Sequence, residues 1–159
     1  MSGIAIGRLS EERKNWRKDS LPGFYARPEK KKDNSTNLMK WEIGVPGKEG
    51  TDWAGGVFKG VFLFSDEYPS KPPKCKFVPP LFHPNVYSDG SICLSILNET
   101  QGWSPAITIR QMLLGIQELL DNPNPKSPAQ EKAITLYLRN KPEYVKQIKA
   151  QTAANIPSF

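Results

Sequence analysis

The chain has little of what metal sites and disulfide scaffolds require, with one histidine and two cysteines among 159 residues. Cys75 and Cys93 do not form a Cys-x-x-Cys pair, and no histidine cluster lies near either of them. Structural zinc sites need several such ligands at close spacing, and structural disulfides are not expected in the reducing interior of a cell. We therefore expect neither a metal ion nor a structural disulfide.

Long apolar runs are also missing. No segment approaches the ~20 apolar residues that span a bilayer, and the first residues lack the pattern of a signal peptide. There is no internal repeat, linker or break in composition. We predict a single soluble, intracellular domain over residues 1–159, which is long enough to bury a core.

The net charge of +6 favours acidic partners. Nucleic acid is one class of acidic partner, but the sequence has neither a zinc-finger spacing nor an RNA-recognition motif. We therefore disfavour nucleic-acid binding.

Hydrophobic periodicity predicts an α+β domain with an N-terminal helix over residues 2–18 and a four-stranded antiparallel meander. The strands are predicted at residues 24–27, 39–45, 57–64 and 74–77. Strict alternation supports the second of these strands, and the apolar third is predicted to be covered on both faces. In the fourth, Cys75 points inward while Lys74 and Lys76 point outward.

Three helices are predicted after residue 100. The first starts at a capping box formed by Thr108 and Gln111. For the second, Ser127 is predicted as N-cap, with Pro128 at the first position and Gln130 closing the box. The third begins near residue 142. Residues 68–73 are proline-rich and predicted as an extended crossing.

The candidate site lies in residues 81–94, which hold the only histidine and Cys93. The Ser88-Asp89-Gly90-Ser91 sequence is typical of a tight turn, so the chain is predicted to bring Asn85 back towards Cys93. A thiol beside a carboxamide donor suits acyl transfer, with the amide stabilising an oxyanion. Two simpler interpretations stay open: Cys93 is a buried apolar residue, and Asn85 only fixes its loop. His83, in a turn constrained by proline, is expected to be structural rather than a papain-like base.

Four cations share an arc of the predicted N-terminal helix: Arg13, Lys14, Arg17 and Lys18. Such an arc is either a solvated face or a docking patch for an acidic protein surface.

The stretch His83-Pro84-Asn85, followed after seven residues by Cys93-Leu94, resembles the active-site signature of ubiquitin-conjugating enzymes. The resemblance extends through residues 68–73 and 103–106 and covers nearly the whole chain. Within this family the sequence is most similar to the branch that conjugates the modifier SUMO, in the segments Trp16–Asp19, Pro79–Tyr87, Cys93–Leu97 and Gly115–Leu120.

The resemblance implies two acyl transfers. The C-terminal glycine of the modifier passes from an activating enzyme to Cys93 as a thioester, and a lysine amine of a target protein then attacks it. This enzyme itself uses no cofactor, since ATP is consumed by the activating enzyme. The implied partners are SUMO, its activating enzyme, SUMO ligases and targets with ψ-Lys-x-Glu-like motifs. A monomer in nucleus and cytoplasm is expected.

The resemblance also assigns roles to residues. Catalysis falls to Cys93, Asn85, Tyr87 and Ser127, and modifier and activating-enzyme docking to the four cations of the N-terminal helix. Acceptor binding falls to Lys74, Lys76, Asp89, Ser91, Pro128, Ala129 and Gln130.

Several residues depart from the pattern of this branch. Asp89 replaces an uncharged hydroxyl residue and would repel an acceptor glutamate, while Ser127 replaces an aspartate. Glu131-Lys132, Ile134 and residues 98–102 also differ. These departures concern acceptor preference rather than thioester chemistry. A ubiquitin-conjugating enzyme and a non-catalytic binding module of the same fold are the alternatives.

Overall fold

The structure is a computed structural model that describes residues 3–157. Its elements in chain order are α1 (Gly3–Lys18), β1 (Tyr25–Lys30), β2 (Thr36–Pro46), β3 (Val57–Leu63), β4 (Lys74–Phe77), a 3-10 turn (Ser95–Leu97), α2 (Ile109–Asp121), α3 (Glu131–Arg139) and α4 (Lys141–Ala153). The predicted α+β order is confirmed. Ser2, which was predicted to start the first helix, lies outside the described residues.

The four strands form one antiparallel sheet in the order β1-β2-β3-β4. Trp41 of β2 is opposite Phe62 of β3, which is opposite Cys75 of β4. All three side chains are buried, so they stack across the covered face of the sheet.

The prediction that the third strand is covered on both faces is wrong. Burial in β3 alternates, with Phe58 and Phe62 buried while Lys59 is exposed. Lys59 interrupts the apolar run and marks the open face, as expected for a sheet packed on one side. The crossing after β3 also differs from its prediction, because residues 66–70 form turns before the chain extends.

Helix α1 packs against the sheet and the start of α2. Ala5, Leu9 and Trp16 are buried, and the buried Glu12 accepts a hydrogen bond from the Ile109 backbone N–H at 2.8 Å. Arg8 donates to two backbone carbonyls of residues 105–107. The Glu12 contact satisfies a donor at the N-terminus of α2 that its own helix leaves unpaired.

Helix α2 forms the centre of the core. Its capping box between Thr108 and Gln111 is present as predicted. One face of the helix is buried through Ile109, Met112, Leu113, Ile116, Leu119 and Leu120. The C-terminal end of this helix then supports the candidate site.

Candidate active site around Cys93

Cys93 lies at the end of a short backbone return that begins at Asn85. The Cys93 N–H donates to the Asn85 carbonyl at 2.8 Å, and the Tyr87 N–H donates to the Ser91 carbonyl at 2.9 Å. Gly90 has a φ of +92°, and a Cβ there would lie 2.3 Å from the Phe77 carbonyl oxygen. Only glycine fits such a close approach. The predicted turn therefore brings Asn85 and Cys93 together.

The return is attached to the edge of β4. The Ile92 N–H donates to the Cys75 carbonyl and the Phe77 N–H to the Gly90 carbonyl, at 3.0 and 2.9 Å. This pairing covers the outer edge of the sheet. It also places Cys93 in an open groove of about 940 Å³.

His83 is fully buried and supports the return from below. Its Nε2–H donates to the carbonyl oxygens of Leu119 and Leu120, which lie 2.9 and 3.1 Å from Nε2. Its Nδ1 accepts the Asn85 N–H at 2.9 Å. Burial lowers the pKa of His83 to about 4, so the ring is neutral at pH 7. The structural role predicted for this residue agrees with these contacts.

The Asn85 side chain is fully buried, and its polar atoms are all engaged. Nδ2 donates to the carbonyls of Asn124 and Ser127 at 2.9 and 2.8 Å, and Oδ1 accepts the Asn124 N–H at 2.7 Å. Both amide hydrogens therefore hold the loop of residues 124–127. To donate to an oxyanion, Asn85 would have to release one of these carbonyls. Its catalytic role stays a prediction.

Tyr87 and Ser127 both line the groove with Cys93. The Tyr87 side chain is 46% exposed, and the neighbouring Cys93 raises the pKa of its phenol. The Tyr87 phenol thus lies beside the Cys93 thiol.

The prediction that Ser127 caps the second C-terminal helix is wrong. Helix α3 starts at Glu131, its N-cap is Gln130, and no side chain caps it. The Ala129 N–H instead donates to the Pro84 carbonyl at 2.8 Å. The Gln130 amide donates to the carbonyls of Leu81 and Val86 at 3.1 and 3.0 Å. These tertiary hydrogen bonds hold residues 127–130 against the return, so helix α3 does not begin until Glu131.

Of the three residues after Ser127 assigned to acceptor binding, Pro128 is exposed and Ala129 is half-buried. Gln130 points its amide at the return rather than at the groove. Ser127, but not these three, lines the groove.

The two cysteines have different surroundings. Cys75 also lines the groove, but its side chain is buried opposite Phe62 of β3, and burial raises the pKa of its thiol well above the ordinary value. Cys93 is half-buried and reaches the groove. The inward orientation predicted for Cys75 is confirmed, and this thiol is protonated at neutral pH.

Three charged residues that were not predicted from the sequence also line the groove: Glu67, Lys71 and Glu99. Lys71 lies 3.2 Å from Glu67 and 4.0 Å from Glu99, and Lys76 lies 3.7 Å from Asp89. The spacing of Glu67 and Lys71 was a usable local signal. Glu99 is distant from Lys71 in the sequence, so no local pattern predicted their ion pair.

The basic arc of α1 is not part of this groove. Lys14, Arg17 and Lys18 are exposed and Arg13 is half-buried. Lys14 lies 3.9 Å from Glu11. The arc is therefore a separate surface that is accessible to a partner.

Within residues 3–157, no group of three or more histidine, cysteine, aspartate or glutamate side chains could hold a metal ion. In the same part of the chain, no helix combines the length and apolar character needed to cross a membrane.

Comparison with known proteins agrees with this geometry. A SUMO-conjugating enzyme of Dictyostelium discoideum is 57% identical over 157 residues, covering 99% of each chain. A SUMO-conjugating enzyme of Arabidopsis thaliana is 57% identical over 151 residues, covering 95% of this chain and 94% of the relative. The family model described as ubiquitin-conjugating enzyme matches residues 8–152. The chain belongs to the ubiquitin-conjugating enzyme family.

Proposed function

We propose that this protein is a SUMO-conjugating enzyme that carries the modifier as a thioester on Cys93 and transfers it to lysine amines of target proteins. The observation that carries the proposal is the position of Cys93, the chain's one cysteine that is not buried, in an open groove. The near-full-length identity to two SUMO-conjugating enzymes supports the choice of modifier.

The chemistry consists of two exchanges at one carbonyl carbon. The Cys93 sulfur attacks the thioester of the charged activating enzyme, forms a new thioester bond and releases that enzyme's thiol. A neutral lysine amine then attacks the Cys93 thioester. An isopeptide bond forms, the Cys93 thiol leaves, and the nitrogen gives up a proton. Neither step consumes ATP or a cofactor in this protein.

Lysine approach is assigned to Tyr87 and Ser127, which line the groove beside Cys93. Tyr87 limits the water around the amine, and Ser127 offers a neutral hydrogen-bond acceptor. Desolvation favours the neutral amine that attacks. Asn85 is assigned to stabilising the oxyanion, which requires it to release a loop carbonyl.

Recognition of a ψ-Lys-x-Glu-like acceptor is assigned to the groove and to the segment that follows Ser127. Lys74, Lys76 and Ser91 line the groove and receive the acidic residue, with Asp89 beside them. Pro128, Ala129 and Gln130 follow Ser127 next to the groove, and the exposed Pro128 ring would contact the hydrophobic residue.

Other partners are assigned from the surface. The cations of α1 would dock SUMO and its activating enzyme through acidic patches, and ligases would join the charged enzyme to targets. We also propose that the protein acts as a monomer in nucleus and cytoplasm.

Modifier choice is tested by incubating the full chain with ATP and either SUMO with its activating enzyme or ubiquitin with its own. The proposal predicts a reductant-sensitive adduct with SUMO and little or none with ubiquitin. An adduct with ubiquitin alone would make the protein a ubiquitin-conjugating enzyme. If neither modifier formed an adduct, the proposal would be rejected, and the protein would be a non-catalytic binding module of the same fold.

A further inference from the structure

The ionisable side chains that line the Cys93 groove balance in charge. There are three lysines and three carboxylates: Lys71, Lys74, Lys76, Glu67, Asp89 and Glu99. The chain as a whole carries +6. The groove is therefore not a uniformly basic surface, and its response to an acidic acceptor depends on how these six groups pair.

Two of the three lysines already have carboxylate partners. Lys71 lies within 4.0 Å of both Glu67 and Glu99, and Glu67 raises the pKa of Lys71. The Lys76 ammonium lies 3.7 Å from the Asp89 carboxylate. Among residues 3–157, no carboxylate lies within 4 Å of the Lys74 ammonium, so Lys74 is the groove lysine without an ion pair.

The Asp89 carboxylate is held where it meets Lys76. One of its oxygens, Oδ1, accepts the Ser91 backbone N–H at 2.9 Å, while the other faces Lys76. Lys76 and Ser91 are themselves paired across an antiparallel bridge. Moving the carboxylate away would break the hydrogen bond that closes the turn before Cys93.

We propose that Asp89 sets acceptor specificity by occupying Lys76, an inference that rests on the proposed function. An acidic residue that follows the acceptor lysine meets one unpaired ammonium, on Lys74. At Lys76 it must compete with Asp89 and bear the repulsion of that carboxylate. Acceptors with a neutral residue at this position pay neither penalty. The groove thus takes lysines followed by neutral residues almost as well as lysines followed by glutamate.

The test is Asp89→Asn, which keeps an oxygen for the Ser91 N–H and removes the charge. Preformed Cys93 thioester is discharged in single turnovers onto two peptides that differ only by Glu or Gln two positions after the lysine. The variant should lower KM for the Glu peptide about two- to fivefold, the size expected for an exposed ion pair. KM for the Gln peptide and kcat for both should not change.

Two further variants separate the ion pair from other effects. In a Lys76→Met background, Asp89→Asn should favour the Glu peptide less than it does when Lys76 is present, because only the direct repulsion by the carboxylate is then relieved. Asp33→Asn is the matched control, because Asp33 accepts the Ser35 N–H at 3.0 Å in the same kind of turn and does not line the groove. It removes the same charge and should leave both KM values unchanged. The gain in the Asp89 variant should shrink as salt rises.

Equal KM changes for the two peptides, no change for the Glu peptide, or the same shift in Asp33→Asn would each overturn the inference while leaving thioester transfer intact. If the wild-type chain formed no thioester at all, the proposed function would be rejected, and this inference with it.

Discussion

His83 is a buried residue whose protonation differs from the simple expectation for its type. As the chain's only histidine, it can be followed directly by NMR of its ring protons. Burial lowers its pKa from 6.5 to about 4. We predict that the folded protein shows a neutral ring, with its proton on Nε2, down to about pH 5. A titration midpoint at or above 6.5 would contradict this prediction.

The same shift links His83 to stability. In the unfolded chain His83 binds a proton near pH 6.5, whereas in the folded chain it binds one only near pH 4. The contribution of His83 is therefore complete above 6.5 and is lost as the pH falls towards 4. The loss amounts to ~3 kcal/mol of unfolding free energy, to which titrating carboxylates add their own effects. Urea unfolding at pH 7 and pH 5 measures the part of this loss that falls between those pH values, about 2 kcal/mol, and an unchanged free energy of unfolding would contradict it.

Asn85 has two candidate roles, and Asn85→Ala distinguishes them. If the amide stabilises the oxyanion during aminolysis, discharge onto lysine should fall by ~10²–10³-fold, while charging from the activating enzyme falls much less. If Asn85 only holds residues 124–127, charging and discharge should fall together. We predict the first result, accompanied by a lower Tm because buried loop groups lose their partners.

Ser127→Asp tests electrostatics beside Cys93. A carboxylate there would attract the lysine ammonium but also favour that charged form. We predict a lower KM for acceptor lysine and only a few-fold change in kcat. Ser127→Asn, similar in size and uncharged, is the control. An unchanged KM in Ser127→Asp would show that this position does not steer the amine. Because Ser127 caps no helix, neither variant should disturb α3.

At the scale of elements, α1 presents a surface that is separate from the groove. Reversing Arg13 and Arg17 to Glu should slow charging, because an attraction to an acidic partner is replaced by repulsion. The defect should shrink as salt rises. Reversal of Lys132 and Lys146, exposed residues on α3 and α4, makes the same change in net charge and should have little effect. Wild-type charging that does not respond to salt would indicate a merely solvated face.

Elements defined by local patterns could be predicted from the sequence. The alternation of Trp41, Ile43 and Val45 placed β2 in the correct orientation, since burial in a one-sided sheet follows the two-residue period. The Thr108 capping box placed the start of α2 because its hydrogen bonds lie within four residues. Proximity of Asn85 and Cys93 followed from the turn between them.

Elements defined by distant contacts could not be predicted. The predicted start of α3 was wrong. The backbone N–H of Ala129 and the side-chain amide of Gln130 donate hydrogen bonds to the 81–86 segment, more than forty residues earlier in the chain. Local capping preference had no information about these partners. The hydrogen bonds from the Asn85 amide to the carbonyls of Asn124 and Ser127 could not be predicted either, because these partners are also distant in the sequence.

At the scale of the whole molecule, the fold separates two thiols and two charged surfaces. Burial makes Cys75 inert, whereas the return from Asn85 presents Cys93 to a groove. The excess positive charge includes the arc on α1, while the groove itself is balanced. The docking of partners and the choice of acceptors that we propose thus involve different parts of the chain.

The central claim, that Cys93 alone carries the modifier, is tested most directly by charging three forms of the full chain with SUMO, its activating enzyme and ATP. The wild type and Cys75→Ala should both form an adduct that a reductant releases. Cys93→Ser should form only a reductant-resistant oxyester, mapped to residue 93 by mass spectrometry. A reductant-sensitive adduct that persists in Cys93→Ser would contradict the account.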